Sequence, residues 1–294
     1  MTMRRSQRVI ALTHRLIQEP GRWWTLDELA EELGAAKSSL SEDVALVREV
    51  LAAEGMGWVE SRVGAGGGIR FLPGMTRGEA AALAEELCRR LMDPKRILPG
   101  GFLALGDLVA DPFLLERIGR LFATIFRSRA PQAVLTVEAR GIPIALMTAR
   151  ALRVPLVMAR RSARLSEGPV LTMNYLSTTG GRVETMTLPK NALDGIERVL
   201  VVDDFMRNGG SARGLVELAR EFEAEPVGVG VLIETAEPAE KRWNEYVAIA
   251  RLERVDVETR QVQARVSPRL PRNLPDPADM ADPATFFADG TPPR

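Results

Sequence analysis

The sequence predicts an α/β protein with two domains, a small helical one at the amino end and a larger one built on a mostly parallel sheet. Its 294 residues exceed what one small core organises, and 46% hydrophobic with 27% charged residues is typical of a folded globular chain. Three helical patterns precede residue 55, whereas short apolar runs alternate with helical stretches from residue 133 onwards. That alternation is typical of parallel strands covered by helices on both faces.

Charge and residue counts exclude several classes of protein. Lys plus Arg and Asp plus Glu both total 39, so a uniformly basic nucleic-acid-binding surface is excluded, although a local basic face is not. The single cysteine cannot form an intramolecular disulfide, and the single histidine cannot form a His-rich metal centre. No apolar run approaches the roughly 20 residues of a membrane span. We therefore expect a cytoplasmic protein with no membrane partner and no metal held by the protein alone.

The amino-terminal part of the chain has the pattern of three helices followed by a β-hairpin. A first helix is expected over 4–18, a capping box at Thr25–Glu28 begins the second, and Lys37 begins the third. Two short strands, 58–63 and 69–72, enclose a glycine-rich turn. Helix, turn, helix and hairpin is the layout of a winged helix-turn-helix domain.

In such a domain the third helix enters the DNA major groove through its amino end, and the wing lies beside the backbone. A first helix rich in arginine would supply phosphate contacts. The alternative is a winged helix that only makes dimer contacts. The residues that we expect to contact DNA are Arg4, Arg5, Lys37, Ser38, Ser39, Ser41 and Arg62.

The chain divides at two changes in composition. Pro73-Gly74 separates a first domain, residues 1–73, from a second, residues 74–267. The remaining residues, 268–294, contain seven of the chain's 19 prolines. We expect this tail to be largely disordered.

Residues 199–211, Val-Leu-Val-Val-Asp-Asp-Phe-Met-Arg-Asn-Gly-Gly-Ser, carry the chemistry. A buried strand delivers Asp203 and Asp204 at its carboxyl end, and Gly209-Gly210 opens a helix whose amides can hold a phosphate. The two carboxylates repel that phosphate, so they must face groups that donate hydrogen bonds, such as vicinal hydroxyls. A ribose 5-phosphate satisfies both ends. The chain has neither a P-loop nor a dinucleotide-binding glycine motif.

This segment resembles the phosphoribosyl pyrophosphate (PRPP) signature of type I phosphoribosyltransferases. Thr136-Val-Glu-Ala-Arg-Gly141 is similar to that family's pyrophosphate loop, and Arg160-Arg161 to its basic position after the second strand. Arg207 and Asn208 depart from the small residue and Thr common in the enzymes. The resemblance implies a type I phosphoribosyltransferase-like domain that binds PRPP, with Mg²⁺, through Ala139, Arg140, Gly141, Arg160, Asp203, Asp204, Phe205, Met206, Arg207, Asn208, Gly209, Gly210 and Ser211.

A Ser-, Thr- and Gly-rich stretch within 161–189 interrupts the alternation of strands and helices. It is long enough for a β-hairpin beside the site, and it would be the mobile lid of the phosphoribosyltransferase family. Tyr175 and Arg182 are the lid residues that we expect near the ligand.

The whole chain resembles the bacterial purine operon repressors, in which a winged helix precedes a phosphoribosyltransferase-like domain. The resemblance implies a homodimer that binds double-stranded operators of purine-synthesis genes. It also implies PRPP as the inducer, no required cofactor and no required transferase reaction. The segments that carry it are Met3–Ser6, Ala36–Asp43, Pro94–Phe102, Gly119–Phe122 and Val201–Met206.

Two other functions remain open from the sequence. One is an active purine phosphoribosyltransferase with an accessory winged helix; no strong general base is evident for it, although Glu138 is a candidate. The other is an RNA-binding regulator, which the two tyrosines of the chain disfavour because RNA recognition uses exposed aromatic side chains. A purine nucleotide could also compete with PRPP, its base stacking on Phe102 or Phe205, although both rings could simply pack in the core.

Overall fold

The computed structural model describes residues 3–62, 64, 67–162, 168–176 and 183–282. Within these ranges none of the helices combines the length and apolar character that crossing a membrane requires.

The amino-terminal unit consists of three helices and an antiparallel two-stranded hairpin. Thr25 Oγ1 accepts a hydrogen bond from the Glu28 amide at 3.1 Å, so the predicted capping box begins the second helix, and Gly34 ends it in the left-handed conformation. Leucines from all three helices fill the core together with Trp24 and the strands. The predicted winged layout is confirmed by the elements α1 (Arg5–Gln18), α2 (Leu26–Leu33), α3 (Lys37–Ala53), β1 (Gly57–Arg62) and β2 (Gly68–Pro73).

The larger unit contains a six-stranded sheet with the order β10-β9-β8-β7-β3-β4. Its strands pair in parallel except for β10, which is antiparallel to β9, so the predicted mostly parallel sheet is confirmed. A separate antiparallel hairpin, β5–β6, is the hairpin that the sequence predicted. The strands are β3 (Ala133–Val137), β4 (Leu156–Ala159), β5 (Val170–Leu176), β6 (Val183–Pro189), β7 (Arg198–Met206), β8 (Glu225–Thr235), β9 (Val247–Asp256) and β10 (Gln261–Val266).

Helices cover both faces of this sheet. Successive residues of β7 point to opposite faces, so Leu200 and Val202 join one core and Val199 and Val201 join the other. The β5–β6 hairpin packs on the second core. The first core contains α4 (Arg77–Leu91), α5 (Pro112–Phe126) and α6 (Gly141–Leu152), and the second contains α7 (Gly210–Glu221).

The prediction that the tail is disordered is wrong for residues 268–282. Leu270 and Leu274 pack on the first core, and the helix that follows packs on the amino-terminal unit. A short helix, α8 (Pro277–Ala281), places Met280, with 0% exposed surface, against Trp58, Leu72 and Ala52. The amide of Arg77 donates to the carbonyl of Pro275 at 2.9 Å. The prediction failed because it used composition alone. A proline-rich segment can still contain single apolar side chains that pack into distant elements, and composition does not reveal such contacts. Residues 283–294 lie outside the described part of the chain.

Substituting Met280 with alanine is expected to lower the free energy of unfolding by about 2–4 kcal/mol, because a fully buried methionine leaves a cavity. The loss of stability cannot exceed the free energy that holds the tail against the rest of the protein, because the tail would then detach instead of leaving a cavity. Urea unfolding followed by tryptophan fluorescence measures it, with the more exposed Met92→Ala as the matched control. A tail that resists proteolysis in Met280→Ala as well as in the wild type would contradict this docking.

Candidate ligand site and nucleic-acid interface

A cavity of about 560 Å³ opens at the carboxyl ends of the parallel strands. Ligands of open α/β sheets bind at this edge because the loops after several strands converge there. The cavity size falls in the range of small-molecule sites. Most of its lining comes from the loop after β3, the loop after β7, the end of β9 and the segment 100–105.

Asp203 and Asp204 lie at the base of this cavity and are only 6% and 7% exposed. The Asp204 amide donates to Asp203 Oδ1 at 2.8 Å. Arg140 Nε lies 3.1 Å from Asp204 Oδ2, an ion pair without hydrogen-bond alignment, and that buried oxygen receives no hydrogen bond from the described residues. Burial, and then the charge of Asp204, raises the pKa of Asp203. Asp204 Oδ2 can therefore still accept a hydrogen bond from a ligand.

The turn after β7 has the geometry of a phosphate cradle. Gly209 has φ +80° and caps α7, a conformation that other residues adopt only with strain. Asn208 Oδ1 accepts from the Gly210 amide at 3.0 Å and fixes the turn. Arg207 and Ser211 line the cavity, while Met206 is buried behind it. The helix amino terminus thus opens where an anion can bind.

The loop between β3 and α6 closes against the paired acids. A Cβ at Gly141 would lie 2.5 Å from Thr136 Oγ1 and 2.9 Å from Asp203 Oδ1, so glycine is required for this approach. The peptide bond between Glu138 and Ala139 is cis. Ala139 and Arg140, two residues of the expected pyrophosphate loop, line the cavity.

Of the two adjacent arginines after β4, the structure brings Arg161 and not Arg160 into the cavity. Arg160 turns to Glu138, with its Nη1 3.3 Å from Oε2. Arg161 donates to the Tyr175 hydroxyl at 2.9 Å and pairs with Glu184. Neighbouring residues of an extended chain point to opposite sides. Because both residues of the motif are arginines, the sequence does not show which of them faces the cavity.

Tyr175 anchors the base of the β5–β6 hairpin. Its hydroxyl donates to Glu184 Oε2 at 2.6 Å. Burial of the ring raises its pKa to about 12. Tyr175 lies against Gly214 of α7, where a Cβ would be 3.2 Å from that of Tyr175. Arg182, the other expected lid residue, lies outside the described residues.

The two candidate stacking rings both line the cavity, in different settings. Phe102 is 55% exposed and follows Gly100 and Gly101, which have φ of +82° and +76°. Phe205 is half-buried and packs against the core under the sheet.

The end of β9, residues 252–255, also lines the cavity, and sequence reasoning missed it. No motif marks these residues. Their place at the carboxyl end of a parallel strand is the signal that could have found them.

A groove of about 570 Å³ runs between the start of α2, α3 and the wing. Three of the residues that are expected to contact DNA line it: Lys37, Ser41 and Arg62. Lys37 pairs with Asp27, and Arg62 lies over the Trp23 ring at 4.8 Å. The other predicted contacts are exposed at Arg4 and Ser38 and half-buried at Ser39.

Arg5 has a structural partner as well as an exposed position. Its Nε lies 3.3 Å from Oδ1 of Asp43, a buried carboxylate on α3, and Arg8 Nε binds the other oxygen at 2.5 Å. These pairs fix α3 against α1. Arg48 was missed by the sequence analysis; it lines the groove and donates to the Val59 carbonyl at 2.9 Å, joining α3 to the wing.

The chain combines a winged helix-turn-helix unit with a phosphoribosyltransferase-type sheet, which carries an acid pair and an anion-binding turn. This combination defines a class of proteins that resemble transcription regulators. The family model of the bacterial purine repressor amino-terminal domain matches residues 4–73, and that of the phosphoribosyl transferase domain matches residues 105–268. The chain belongs to the bacterial purine repressor family.

Two named relatives cover 90% of the chain, and a third covers about half of it. The purine biosynthesis transcriptional repressor PurR of Bacillus subtilis (strain 168) is 35% identical over 90% of this chain and 92% of its own. The purine biosynthesis transcriptional activator PurR of Lactococcus lactis subsp. lactis (strain IL1403) is 36% identical over 90% and 97%. Xanthine phosphoribosyltransferase of Geobacillus thermodenitrificans (strain NG80-2) is 37% identical over 51% of this chain and 80% of its own.

Proposed function

We propose that this protein is a DNA-binding repressor of purine-biosynthesis genes and that PRPP, bound with Mg²⁺ to its larger domain, is the inducer. The observation that carries the proposal is the buried Asp204 Oδ2, which pairs with Arg140 but accepts no hydrogen bond from any described residue. It lies beside a glycine-capped helix terminus, in a chain that also has a winged helix. A homodimer would present two recognition helices to one operator.

PRPP fits the charges of the cavity. Its 5-phosphate would occupy the turn at 207–211, and its ribose hydroxyls would donate to Asp203 and Asp204. Its diphosphate would lie at the loop 139–141 near Arg161, and Mg²⁺ would neutralise part of its charge. The ligand would also draw Arg140 away from Asp204, since both compete for that carboxylate.

Helix α6 gives ligand binding a route to the DNA-binding unit. It begins at Gly141 in the pyrophosphate loop and ends at Leu152. Arg127 Nη2 donates to the Ala151 carbonyl at 3.0 Å and to the Pro73 carbonyl, at the end of the wing, at 3.1 Å. A shift of this helix would therefore move the winged helix. If PRPP and DNA prefer different positions, each weakens the other by the same factor, typically 1–3 kcal/mol.

An active purine phosphoribosyltransferase is the second candidate, favoured by the similarity to xanthine phosphoribosyltransferase over half of the chain. The two functions separate in one assay. Regulation predicts saturable uptake of Mg-PRPP by calorimetry without base-dependent pyrophosphate release. Release with adenine, guanine, hypoxanthine or xanthine at enzymatic rates would favour the transferase, and absence of PRPP uptake would overturn both.

A purine nucleotide is proposed to compete with PRPP for the same cradle, with its base on the exposed face of Phe102. Substituting Phe102 with alanine is expected to weaken purine nucleotide binding about 5- to 150-fold, because a base stacked on an aromatic ring contributes about 1–3 kcal/mol. PRPP binding, which involves no base, should change little. Competition titrations measure both affinities, with Phe113→Ala, an exposed ring at the start of α5, as the control. Unchanged nucleotide affinity would contradict the stacking role.

A further inference from the structure

The phosphate loop is backed by a segment that no motif marks, residues 241–243. Lys241 is 7% exposed, and its Nζ donates to the Arg207 carbonyl at 2.5 Å, to the Thr235 carbonyl at 2.8 Å and to Thr235 Oγ1 at 3.1 Å. The amide of Arg242 donates to the Asn208 carbonyl at 2.6 Å. Two successive carbonyls of the loop are therefore held against this segment.

This arrangement sets the direction of the next two amides. In a trans peptide the N–H points opposite to the preceding C=O, so the N–H groups of Asn208 and Gly209 point away from the segment. Arg207 and Ser211, on either side of these peptides, line the cavity, whereas residues 241–243 do not. The backing segment thus turns the donors of the cradle toward the space where a phosphate would bind.

We propose that Lys241 is a positioning residue for phosphate binding: it holds the Arg207 carbonyl so that the cradle amides face the ligand, and its charge lies directly behind them. The inference rests on the proposed function, since it concerns the same cradle. All three acceptors of the Lys241 ammonium are uncharged oxygens, so no carboxylate in direct contact neutralises it. Its field therefore adds to that of the helix terminus.

Four charged side chains on neighbouring elements influence the pKa of Lys241. Glu234 of β8 and Glu237 after it favour the ammonium form, while Arg251 of β9 and Arg269 of the tail oppose it. Glu234 is engaged elsewhere, accepting from the Tyr246 and Ser267 hydroxyls, each at 2.6 Å. Burial, the largest influence, lowers the pKa of Lys241 to about 8. The ammonium is thus mostly charged at pH 7 and mostly neutral at pH 9.

The test compares Lys241→Met, which keeps the apolar stem, with Lys241→Arg, which keeps the charge and the donors. Lys190→Met removes an exposed lysine and is the control. Calorimetric titration with Mg-PRPP and with ribose 5-phosphate should show a loss of about 10- to 100-fold in Lys241→Met, since hydrogen bonds to a charged group contribute about 1.5–3 kcal/mol. Lys241→Arg should recover most of it, and Lys190→Met should match the wild type.

The pH dependence of PRPP affinity distinguishes a role for the Lys241 charge from a role in packing alone. Wild-type affinity for PRPP should fall as the pH rises from 7 to 9, because Lys241 loses its proton, whereas Lys241→Arg should stay constant over this range. Should Lys241→Met fail to fold, as judged by loss of DNA binding, this comparison decides alone. Equal affinities in Lys241→Met and the wild type, or wild-type affinity independent of pH, would overturn the inference and leave the proposed function standing. A wild type that takes up no PRPP would overturn both.

Discussion

Replacing Asp203 and Asp204 together with asparagine is expected to weaken PRPP binding by at least about 100-fold. Each carboxylate is buried and would accept a hydrogen bond from a ribose hydroxyl, and hydrogen bonds to charged groups contribute about 1.5–3 kcal/mol each. Asparagine keeps the shape of the side chain and removes the charge. Calorimetric titration with Mg-PRPP measures the loss, and Asp194→Asn, an exposed acid away from the cavity, is the matched control.

The same variant has an opposite effect on stability. Because the pKa of Asp203 is raised in the folded protein, the folded state holds a proton at this carboxyl more tightly than the unfolded chain does. Wild-type stability should therefore fall as the pH rises from about 4, the ordinary carboxyl pKa, through the raised value. The double asparagine variant lacks this loss and should gain stability relative to the wild type as the pH rises above about 4. Weaker PRPP binding with lower stability would indicate a damaged fold and contradict the assigned role.

Reversing the charges of Lys37 and Arg62 is expected to weaken DNA binding on the order of 100-fold at low salt. Both side chains line the groove between α3 and the wing, on opposite sides of it. If each contacts one phosphate, the dependence of log affinity on log salt should become less steep by about two. Arg5 is excluded from this variant because its pair with Asp43 supports α3.

The matched control for this experiment is Lys95→Glu with Lys190→Glu, which changes the net charge equally on the larger unit. Fluorescence anisotropy on a duplex from the promoter region of a purine-synthesis gene measures both variants over a range of salt concentrations. Equal losses in the two double variants would mean that only net charge matters, and the groove would lose its assignment.

The parts of the candidate site whose geometry follows from the sequence are local in the chain. Asp203, Asp204 and Gly209 follow one another in a single strand–turn–helix unit, so periodicity and the chemistry of a dozen residues define their geometry. The winged layout was predictable for the same reason, since a capping box and a glycine-rich turn are short-range signals.

The parts that it missed depend on contacts between distant segments. Lys241 reaches the Arg207 carbonyl from another loop, and Met280 fills a slot beside Trp58 more than 200 residues away in sequence. The choice between Arg160 and Arg161 depends on which way one extended residue faces. Charge and hydrophobicity alone cannot predict such pairings, because many lysines and methionines could make them.

The central claim is that a ligand in the acid-and-cradle cavity controls the winged helix. Titration of the intact protein onto promoter DNA of a purine-synthesis gene, with and without saturating Mg-PRPP, tests it most directly. We predict that PRPP weakens DNA binding of the wild type about 5- to 150-fold, the range of typical coupling energies, and leaves the Asp203→Asn/Asp204→Asn variant bound. DNA affinity that stays the same with the wild-type cavity saturated by PRPP would contradict the account.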